Sequence, residues 1–515
     1  MLDLFGGFVS LFGNLEAVGF VFLAAFVGIV AGALPGLTAS AAIAMLLPLS
    51  FYLSPLSALA FLYVIGKSGR YGGSIAAILF NTPGTAASAA TMQDGYPMTK
   101  AGKPGKALKM ATVASVIGDF SGELVLIFGA VTIAAVTQSF GPTEYFAIYL
   151  MAFLVIGSVV GSSVVKGILS TLFGAAVALI GLDTITNTPR TTFGLTELQD
   201  GLSLVPLLIG VFVISEIIIQ AERMAKSTVL KVGAADAGSA ENRLTWAEVK
   251  RCIPIMLRSS GVGALIGMMP GLGSSVACFV AYGEEKRRSP HPEKWGTGIV
   301  EGIAAPESAN NAVSGPSMIP LLTLGIPGST VAAVLIGVFL IHGIQVGPQI
   351  FSDTNMIFDQ TSGEVFSSRQ LVFSLFAAGL LGIVAYGVMG YFGGPLIGRA
   401  IASVPPRVLY ALIFLTAVTA AYSARASIMD IAIALLFGVV GYAMRRTNFS
   451  PAAFIIAFVL TDGMEVAFRQ ALLLSDDGAL IFVTRPVPLF FLCLGVGVTI
   501  YRGWSTGRAR KALAT

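Results

Sequence analysis

The sequence predicts an all-α polytopic membrane protein, built as an inverted-topology repeat with re-entrant, broken-helix hairpins. Hydrophobic residues make up 55% of the 515 positions and charged residues only 11%, which leaves too little polar surface to coat a soluble globule. Apolar runs repeatedly reach the roughly 20 residues that cross a bilayer. Pro-Gly pairs interrupt such runs at four places, two in each half of the chain.

Apolar runs and loop charges predict the order of the membrane segments. No basic n-region precedes residues 15–34, so this run is interpreted as a retained membrane segment rather than a cleaved signal peptide. Basic clusters predict cytoplasmic loops at 100–109, 223–251, 284–294 and 445–446, whereas the neutral or acidic stretches 183–200, 351–369 and 473–484 are predicted outside. The further predicted spans are 107–137, 144–161, 166–182, 202–221, 370–392, 408–424, 427–444, 451–470 and 486–503.

The Pro-Gly pairs occur in the same order in both halves. They are Pro35 with Gly36, Pro83 with Gly84, Pro270 with Gly271, and Pro327 with Gly328. Each pair is predicted to split a helix, because proline removes a backbone donor and glycine permits backbone angles that other residues resist. A single pair is often only a kink or a packing point, but four in a repeated order indicate a transport site between two related halves.

Loop charges indicate that the two halves have opposite orientations. The loop after the first hairpin is basic and predicted cytoplasmic, whereas the loop after its second-half counterpart carries Asp353 and Asp359 and is predicted outside. We therefore predict a first membrane repeat over 1–221, a cytoplasmic linker over 222–250, and a second repeat over 251–515 that includes the C-terminal helices and a basic cytoplasmic tail.

The residues around the breaks predict a site for an anion and a small cation. Half-helix N-termini present free N–H groups to anions, and unwound carbonyls coordinate cations. Neutral donors and acceptors near the breaks are Ser74, Asn81, Thr82, Thr85, Ser88, Ser329 and Thr330. This set indicates a carboxylate substrate with H⁺ or a transiently bound Na⁺ as the coupling ion, and no cofactor or resident metal.

Two cations in an apolar segment are candidate carboxylate ligands. Lys67 and Arg70 lie just before the first hairpin, and charges beside a broken helix are costly unless they face a cavity or a partner. The alternatives are that they extend to a membrane interface or pair with an internal acid such as Glu301.

Four acids are candidates for binding the coupling ion. Asp119 and Glu123 lie four residues apart on one helix face near mid-membrane, where proton relay, cation coordination and a salt bridge to one of the two cations are all consistent with the sequence. Glu301 and Glu307 flank the second-half core and are further candidates.

Several other functions are excluded or disfavoured. The stretch IGKS resembles the end of a phosphate-binding loop, but Phe61 stands where that motif requires glycine, and no H-E-x-x-H zinc motif occurs. The net charge of +4 comes from loop residues and does not indicate nucleic-acid binding. The chain is therefore not expected to be an enzyme. A passive channel for small organic anions is the alternative to a transporter, because broken helices also line pores; the inverted repeat favours alternating access.

Three long stretches resemble a known family. GALPGLTASAAIAMLLPLSF, GGSIAAILFNTPGTAASAATMQDGYPM and EGIAAPESANNAVSGPSMIPLLTLGIPGSTVAAVLIGVFLIHGIQVGP closely resemble the large membrane subunit of tripartite tricarboxylate transporters (TctA type). The resemblance implies a multi-pass secondary transporter of the bacterial inner membrane. It also implies a small membrane subunit of about four helices, and a periplasmic solute-binding protein that delivers a tricarboxylate or a similar diacid or aromatic acid. Uptake would be driven by Na⁺ or H⁺.

The resemblance also implies site residues. The positions that match the family's motifs are Pro35, Gly36, Asn81, Thr82, Pro83, Gly84 and Thr85 in the first half, and Pro270, Gly271, Asn310, Asn311, Pro327, Gly328 and Ser329 in the second. Lys67 and Arg70 depart from the family pattern, in which many members carry small or neutral residues at these places. The two hairpins, around 72–96 and 314–342, are expected to meet near the midplane and to move as part of a transport domain against a scaffold.

Overall fold

Most of the described structure is helical, with very little strand. The computed structural model describes residues 2–34, 36–159, 163–183, 185–226, 242–358, 363, 365–476 and 478–514. In the first half the helices are α1 Leu2–Gly13, α2 Leu15–Ala33, α3 Ala39–Leu46, α4 Pro55–Phe80, α5 Ser88–Lys100, α6 Pro104–Thr137, α7 Pro142–Val159, α8 Val164–Ala178, α9 Leu204–Leu208 and α10 Ser215–Lys226. A π-helical turn, Ile209–Ile214, joins α9 to α10.

The second half continues with eleven described helices and little else. They are α11 Trp246–Gly267, α12 Gly273–Arg288, α13 Glu301–Ala312, α14 Ile319–Leu324, α15 Thr330–Ile341, α16 Ser368–Ser403, α17 Pro406–Ser423, α18 Ile428–Arg446, α19 Pro451–Leu473, α20 Ile481–Thr484 and α21 Pro486–Ala514. Two short antiparallel pairs lie in loops predicted outside: β1 Gly181–Leu182 with β2 Pro189–Arg190, and β3 Met356–Phe358 with β4 Val365–Ser367.

The membrane class is confirmed. Among the described residues, eight helical segments are long and apolar enough to cross a bilayer: α2, α6, α7, Leu204–Glu222, α16, α18, α19 and α21. Each lies on a predicted span. The shorter apolar helices α8 and α17 lie on the predicted spans 166–182 and 408–424. The chain is therefore an all-α, multi-pass membrane protein.

The elements around the breaks follow one order in both halves. In the first, α2, a break, α3, α4, a second break and α5 succeed one another; in the second, α11, a break, α12, α13, α14, a further break and α15 do so. The opposite orientation of the halves stays a prediction. Asp359, on which this prediction partly rests, lies outside the described residues, as do Pro35 and positions 227–241 of the predicted linker. Helix α10 extends into the linker at its start, and α11 begins within its last residues.

Close helix contacts hold the helices that carry the candidate charges. A Cβ atom built on Gly32 of α2 would lie 2.1 Å from the Gly69 carbonyl oxygen of α4, and one on Gly118 of α6 would lie 2.2 Å from the Ser308 carbonyl oxygen of α13. Small residues let helix backbones approach closely in a membrane, where van der Waals packing replaces the hydrophobic effect between helices. Consequently α4 and α13 are held tightly at the centre of the molecule.

An ion-pair cluster anchors the β1–β2 hairpin to α19. Arg469 of α19 contacts Asp183 at 2.8 Å, and Arg190 of β2 contacts Glu465 of α19 at 2.9 Å. The Arg469 hydrogen bond, followed by those from the Thr186 and Ile185 backbone N–H groups, holds the pKa of Asp183 well below its usual range. Because the folded-state pKa is depressed, this contribution to stability is present at neutral pH and is lost only as the pH falls through that low value.

Candidate functional site

Helix α4 brings the first candidate charges into the core. Ser54 caps its N-terminus by accepting from the Ser57 backbone N–H, and Pro55 occupies the first turn, where a missing N–H costs nothing. The helix ends at Asn81, whose φ of 54° is left-handed. Between these ends nearly every residue is buried, so Lys67 and Arg70 are enclosed by protein rather than by lipid.

A cavity of about 290 Å³ lies where the chain segments after all four breaks meet. It is lined by Thr38, Ala39 and Ser40 after the first break, by Thr85 and Ala86 after the second, by Gly271 to Ser275 after the third, and by Gly328 to Val331 after the fourth. Arg70 of α4, Asn310 of α13, and Ala452 and Ile456 of α19 complete the wall. The predicted meeting of two hairpins is thus a meeting of four broken segments.

The first residues of α3, α12 and α15 line this cavity, and α5 begins shortly after Thr85 and Ala86 in its wall. Thr38 accepts from the Ala41 N–H at the start of α3, and Ser329 accepts from the Ala332 N–H at the start of α15, both at 3.2 Å. The second and third breaks lead into α5 and α12. Helix N-termini carry partial positive charge and unpaired N–H groups, so their convergence favours an anion in the cavity.

Glycine is required at two of the breaks. Gly36 and Gly271 have φ values of 84° and 85°, which residues with a Cβ atom rarely adopt. The Gly271 N–H donates to the Gly328 carbonyl at 3.4 Å, which links the third break to the fourth. The backbone bends that form the cavity are therefore built into the sequence at these positions.

Arg70 is the charged side chain among the residues that line the cavity. It is 7% exposed, and its Nη1 donates to the Asn310 carbonyl at the long distance of 3.5 Å. Its Nε and the Nδ2 of Asn310 have no hydrogen-bond partner in the described structure. Buried polar groups normally have partners, so these two donors are unsatisfied groups of residues in the cavity wall.

Lys67, by contrast, is neutralised by its neighbours. Its Nζ lies 2.6 Å from Asp119 and 2.8 Å from Glu123, and all three side chains are fully buried. Tyr63 donates to Glu123 at 2.8 Å, and Tyr386 of α16 donates to Asp119 at 3.2 Å. Of the roles that the sequence allows for these acids, the geometry shows the salt bridge to Lys67. Lys67 is not among the residues lining the cavity.

Glu307 lies in a different environment from the other candidate acids. Its fully buried carboxylate accepts hydrogen bonds from Ser74 of α4 at 2.5 Å, from Ser115 of α6 at 3.0 Å and from Thr91 of α5. Glu301, at the start of the same helix, instead pairs with Arg251 at 2.7 Å near the surface. The two acids that the sequence treats alike are therefore in unlike surroundings.

The other predicted site residues lie at varied distances from the cavity. Asn311 donates to Ser115 at 2.9 Å and to the Glu307 carbonyl, which places it beside Glu307. Asn81 and Pro83 are exposed, and Thr82 donates to the Phe80 carbonyl. Gly84 packs on Gly32, and its N–H donates to the Gly73 carbonyl at 3.4 Å. Pro270 and Pro327 adjoin the third and fourth breaks.

Sequence reasoning missed a set of polar residues that line the cavity and one buried acid. Thr38 and Ser40, and likewise Ser274 and Ser275, line the cavity after the first and third breaks. Their signal in the sequence is a small polar residue a few positions after a Pro-Gly pair, where a helix cap is expected. The other missed residue is Asp94 of α5.

Asp94 joins the first hairpin to the second half of the chain. Its buried carboxylate accepts from the backbone N–H groups of Gly296, Gly298 and Ile299 at 2.9–3.0 Å, and from Tyr282 of α12 at 2.8 Å. The loop so held leads into α13. Asp94 is therefore a positioning residue that fixes α5 against the loop before Glu307 and Asn310.

We expect Asp94→Asn to destabilise the protein by about 3 kcal/mol. An amide replaces one acceptor oxygen by a donor that faces N–H groups, and a hydrogen bond to a charged group contributes roughly 1.5–3 kcal/mol. Thermal unfolding of the purified protein measures this. Asp353→Asn, at a side chain 70% exposed and paired only at the surface, is the control and should change stability by less than about 0.5 kcal/mol. Equal losses for both variants would contradict the assignment.

Comparison with known proteins identifies the family of the chain. The family model described as "Tripartite tricarboxylate transporter TctA family" matches residues 18–456. An Agrobacterium vitis protein with the name "Uncharacterized 52.8 kDa protein in TAR-I ttuC' 3'region" is 34% identical over 483 residues, which cover 93% of this chain and 91% of that protein. A second protein of that organism, "Uncharacterized protein in TAR-II ttuC' 3'region", is 34% identical over 236 residues, covering 45% of this chain and 90% of its own length.

No solved structure matches the chain. The family match extends from α2 to α19 and so includes all four breaks and every residue that lines the cavity. It confirms the resemblance that the three motif stretches indicated. The chain belongs to the tripartite tricarboxylate transporter TctA family and is a membrane component of a transporter.

Proposed function

We propose that this chain performs secondary active uptake of an organic carboxylate, which binds in the cavity between the four breaks. The observation that carries the proposal is the meeting of the segments after all four breaks in one cavity that Arg70 also lines, where the Arg70 Nε has no hydrogen-bond partner among the described residues. Partial positive charges and a buried guanidinium together select an anion, and a planar guanidinium matches the two oxygens of a carboxylate.

The cavity favours a small substrate. Its volume of about 290 Å³ is at the lower end of ligand pockets, which run from about 300 to 1,000 Å³. Thr38, Ser274, Ser329 and Asn310 offer neutral polar groups that can bind further oxygen atoms. These features support a di- or tricarboxylate over a larger acid.

Partner subunits follow from the tripartite family. A periplasmic solute-binding protein would deliver the carboxylate, and a small membrane subunit of about four helices would assemble with this chain in the bacterial inner membrane. The cavity would then be the membrane site to which the delivered anion passes. The alternating exposure of this site would come from movement of the segments that carry the breaks against the surrounding helices.

A passive anion channel is the alternative, and one experiment distinguishes it. The chain is co-reconstituted in liposomes with a small membrane subunit and a solute-binding protein of the tripartite family, and uptake of labelled citrate and succinate is measured. We expect saturable accumulation above the external concentration that disappears when ionophores collapse the ion gradient. Uptake that only equilibrates, does not saturate and ignores the gradient would indicate a channel instead.

A further inference from the structure

The enclosed carboxylate of Glu307 is not used by the anion site described above. It is fully buried, and in the described part of the chain it forms no ion pair; its partners are the hydroxyls of Ser74, Thr91 and Ser115. An isolated ionised carboxylate is costly in a low-dielectric interior unless a cation compensates it. The buried Glu307 side chain is therefore stable when it is protonated or when a cation lies beside it.

Glu307 lies one helical turn away from the anion site along two helices. On α13 it precedes Asn310 by three residues, and on α4 its partner Ser74 follows Arg70 by four, so each pair shares a helix face. Helix α5, whose Thr91 also donates to Glu307, begins just after the second break. The hydroxyl network thus ties Glu307 to three of the elements that shape the cavity.

We propose that Glu307 is the proton-binding group that couples carboxylate uptake to a proton gradient. The proposal rests on the proposed function and adds the coupling ion and its site. A proton from the outer solution adds to a Glu307 carboxyl oxygen, and the new O–H group donates to one of the surrounding hydroxyls. On the inner side that O–H bond breaks and the proton returns to water. No electron transfer or further reactant is needed.

Coupling arises from electrostatic linkage between the two sites. A carboxylate substrate beside Arg70 repels a negative charge on Glu307, so the bound anion favours the protonated side chain, and by reciprocity the protonated side chain favours the bound anion. The loaded transporter then carries an anion and a proton together. Loss of the proton on the inner side weakens anion binding and favours release.

A proton fits the observed geometry better than a sodium ion. The Ser74 and Ser115 oxygens lie 2.5 and 3.0 Å from the carboxyl oxygens, which are hydrogen-bond distances. A metal cation inserted among these oxygens would have to separate the hydroxyls from the carboxyl group. The experiment must nevertheless distinguish proton coupling from sodium coupling.

Among the carboxylates in this region of the described structure, Glu307 is the one that has neither a cation nor backbone N–H groups as partners. Tyr71 of α4, Cys278 of α12 and Tyr386 of α16 lie within electrostatic range of it and are neutral at physiological pH. Asp119 and Glu123 of α6 share Lys67 of α4. The carboxylate of Asp94 of α5 accepts hydrogen bonds from loop N–H groups. Arg70 of α4 lines the cavity, and the thiol of Cys252 of α11 interacts electrostatically with Glu301.

The test compares the wild type with Glu307→Gln in the co-reconstituted transporter. Glutamine keeps the size of the side chain and can both donate to and accept from hydroxyls, so it mimics the protonated acid. We expect citrate exchange to survive while accumulation driven by a proton gradient is lost, and the affinity for citrate to become independent of pH. Glu293→Gln, at a side chain 66% exposed in the loop before α13, is the control and should accumulate citrate normally.

Each other result decides the matter. Proton-driven accumulation by Glu307→Gln overturns the assignment, and so does accumulation that requires a Na⁺ gradient at constant pH. If Glu307→Gln does not fold, Glu307→Asp must retain proton-driven accumulation at a reduced rate. If the wild type exchanges neither citrate nor succinate, the proposed function fails. Infrared spectra without substrate then test Glu307 separately. A carboxylic-acid band that the wild type shows and Glu307→Gln lacks supports proton binding, and the lack of such a band in the wild type rejects it.

Discussion

Arg70→Gln is expected to weaken citrate binding by about 10- to 150-fold. A hydrogen bond to a charged group contributes roughly 1.5–3 kcal/mol, and each 1.4 kcal/mol is tenfold in affinity. Arg70 is the charged residue lining the cavity, so glutamine removes the positive side chain nearest to the substrate. Equilibrium binding of labelled citrate to the purified transporter measures the loss.

Folding should be nearly unaffected by this change. Among the described residues Arg70 makes one long hydrogen bond, to the Asn310 carbonyl, and its Nε has no partner there, so the substitution breaks little within the protein. Arg70→Lys keeps the charge without the planar fork and should bind with intermediate affinity. Arg251→Gln, at a side chain 61% exposed, is the control and should bind normally. Unchanged affinity in Arg70→Gln would move the carboxylate out of this cavity.

Lys67→Met is expected to destabilise the protein by about 3–5 kcal/mol, a loss that prevents assembly. Removing one partner of a buried ion pair leaves an uncompensated charge in the interior, and here it leaves two carboxylates, Asp119 and Glu123. Thermal unfolding and the yield of monodisperse protein measure the effect. Lys100→Met, at an exposed lysine at the end of α5, should change stability by less than about 1 kcal/mol.

A neutral triple variant separates structure from coupling in this cluster. Replacing Lys67 by Met, Asp119 by Asn and Glu123 by Gln removes all three charges, and neutral groups of similar size are often as stable as a buried ion pair. We expect recovered stability and retained gradient-driven uptake, since the cluster lies outside the cavity. A stable triple variant without coupling would show that the cluster, rather than Glu307, carries the proton.

The fold was largely predictable because its signals are local. A bilayer requires about 20 apolar residues of helix, so the spans could be placed from run length alone, as α2 and α6 illustrate. The site was only partly predictable. Lys67 and Arg70 lie three residues apart with the same charge and the same apolar surroundings, so the sequence does not distinguish their roles. In the structure one side chain meets Asp119 while the other lines the cavity.

Asn81 and Thr38 show the same limit in opposite directions. Asn81 stands in a conspicuous motif beside a break, yet it is exposed at the end of α4. Thr38 stands in a less conspicuous position, yet it caps α3 and lines the cavity. Proximity to a break along the chain does not specify on which side of the bend a side chain lies.

The sequence by itself determined the membrane class, the approximate positions of the membrane spans and the places where helices break, because these depend on apolar length and on the backbone properties of proline and glycine. Only the tertiary structure decided which charges neutralise one another, which buried acid has no cation beside it among the described residues, and that the segments after four breaks meet at one cavity. These features arise from contacts between residues far apart in the chain, such as Ser74 and Glu307, which are separated by 233 positions. Their energies depend on distance and burial, which no local pattern of residues specifies.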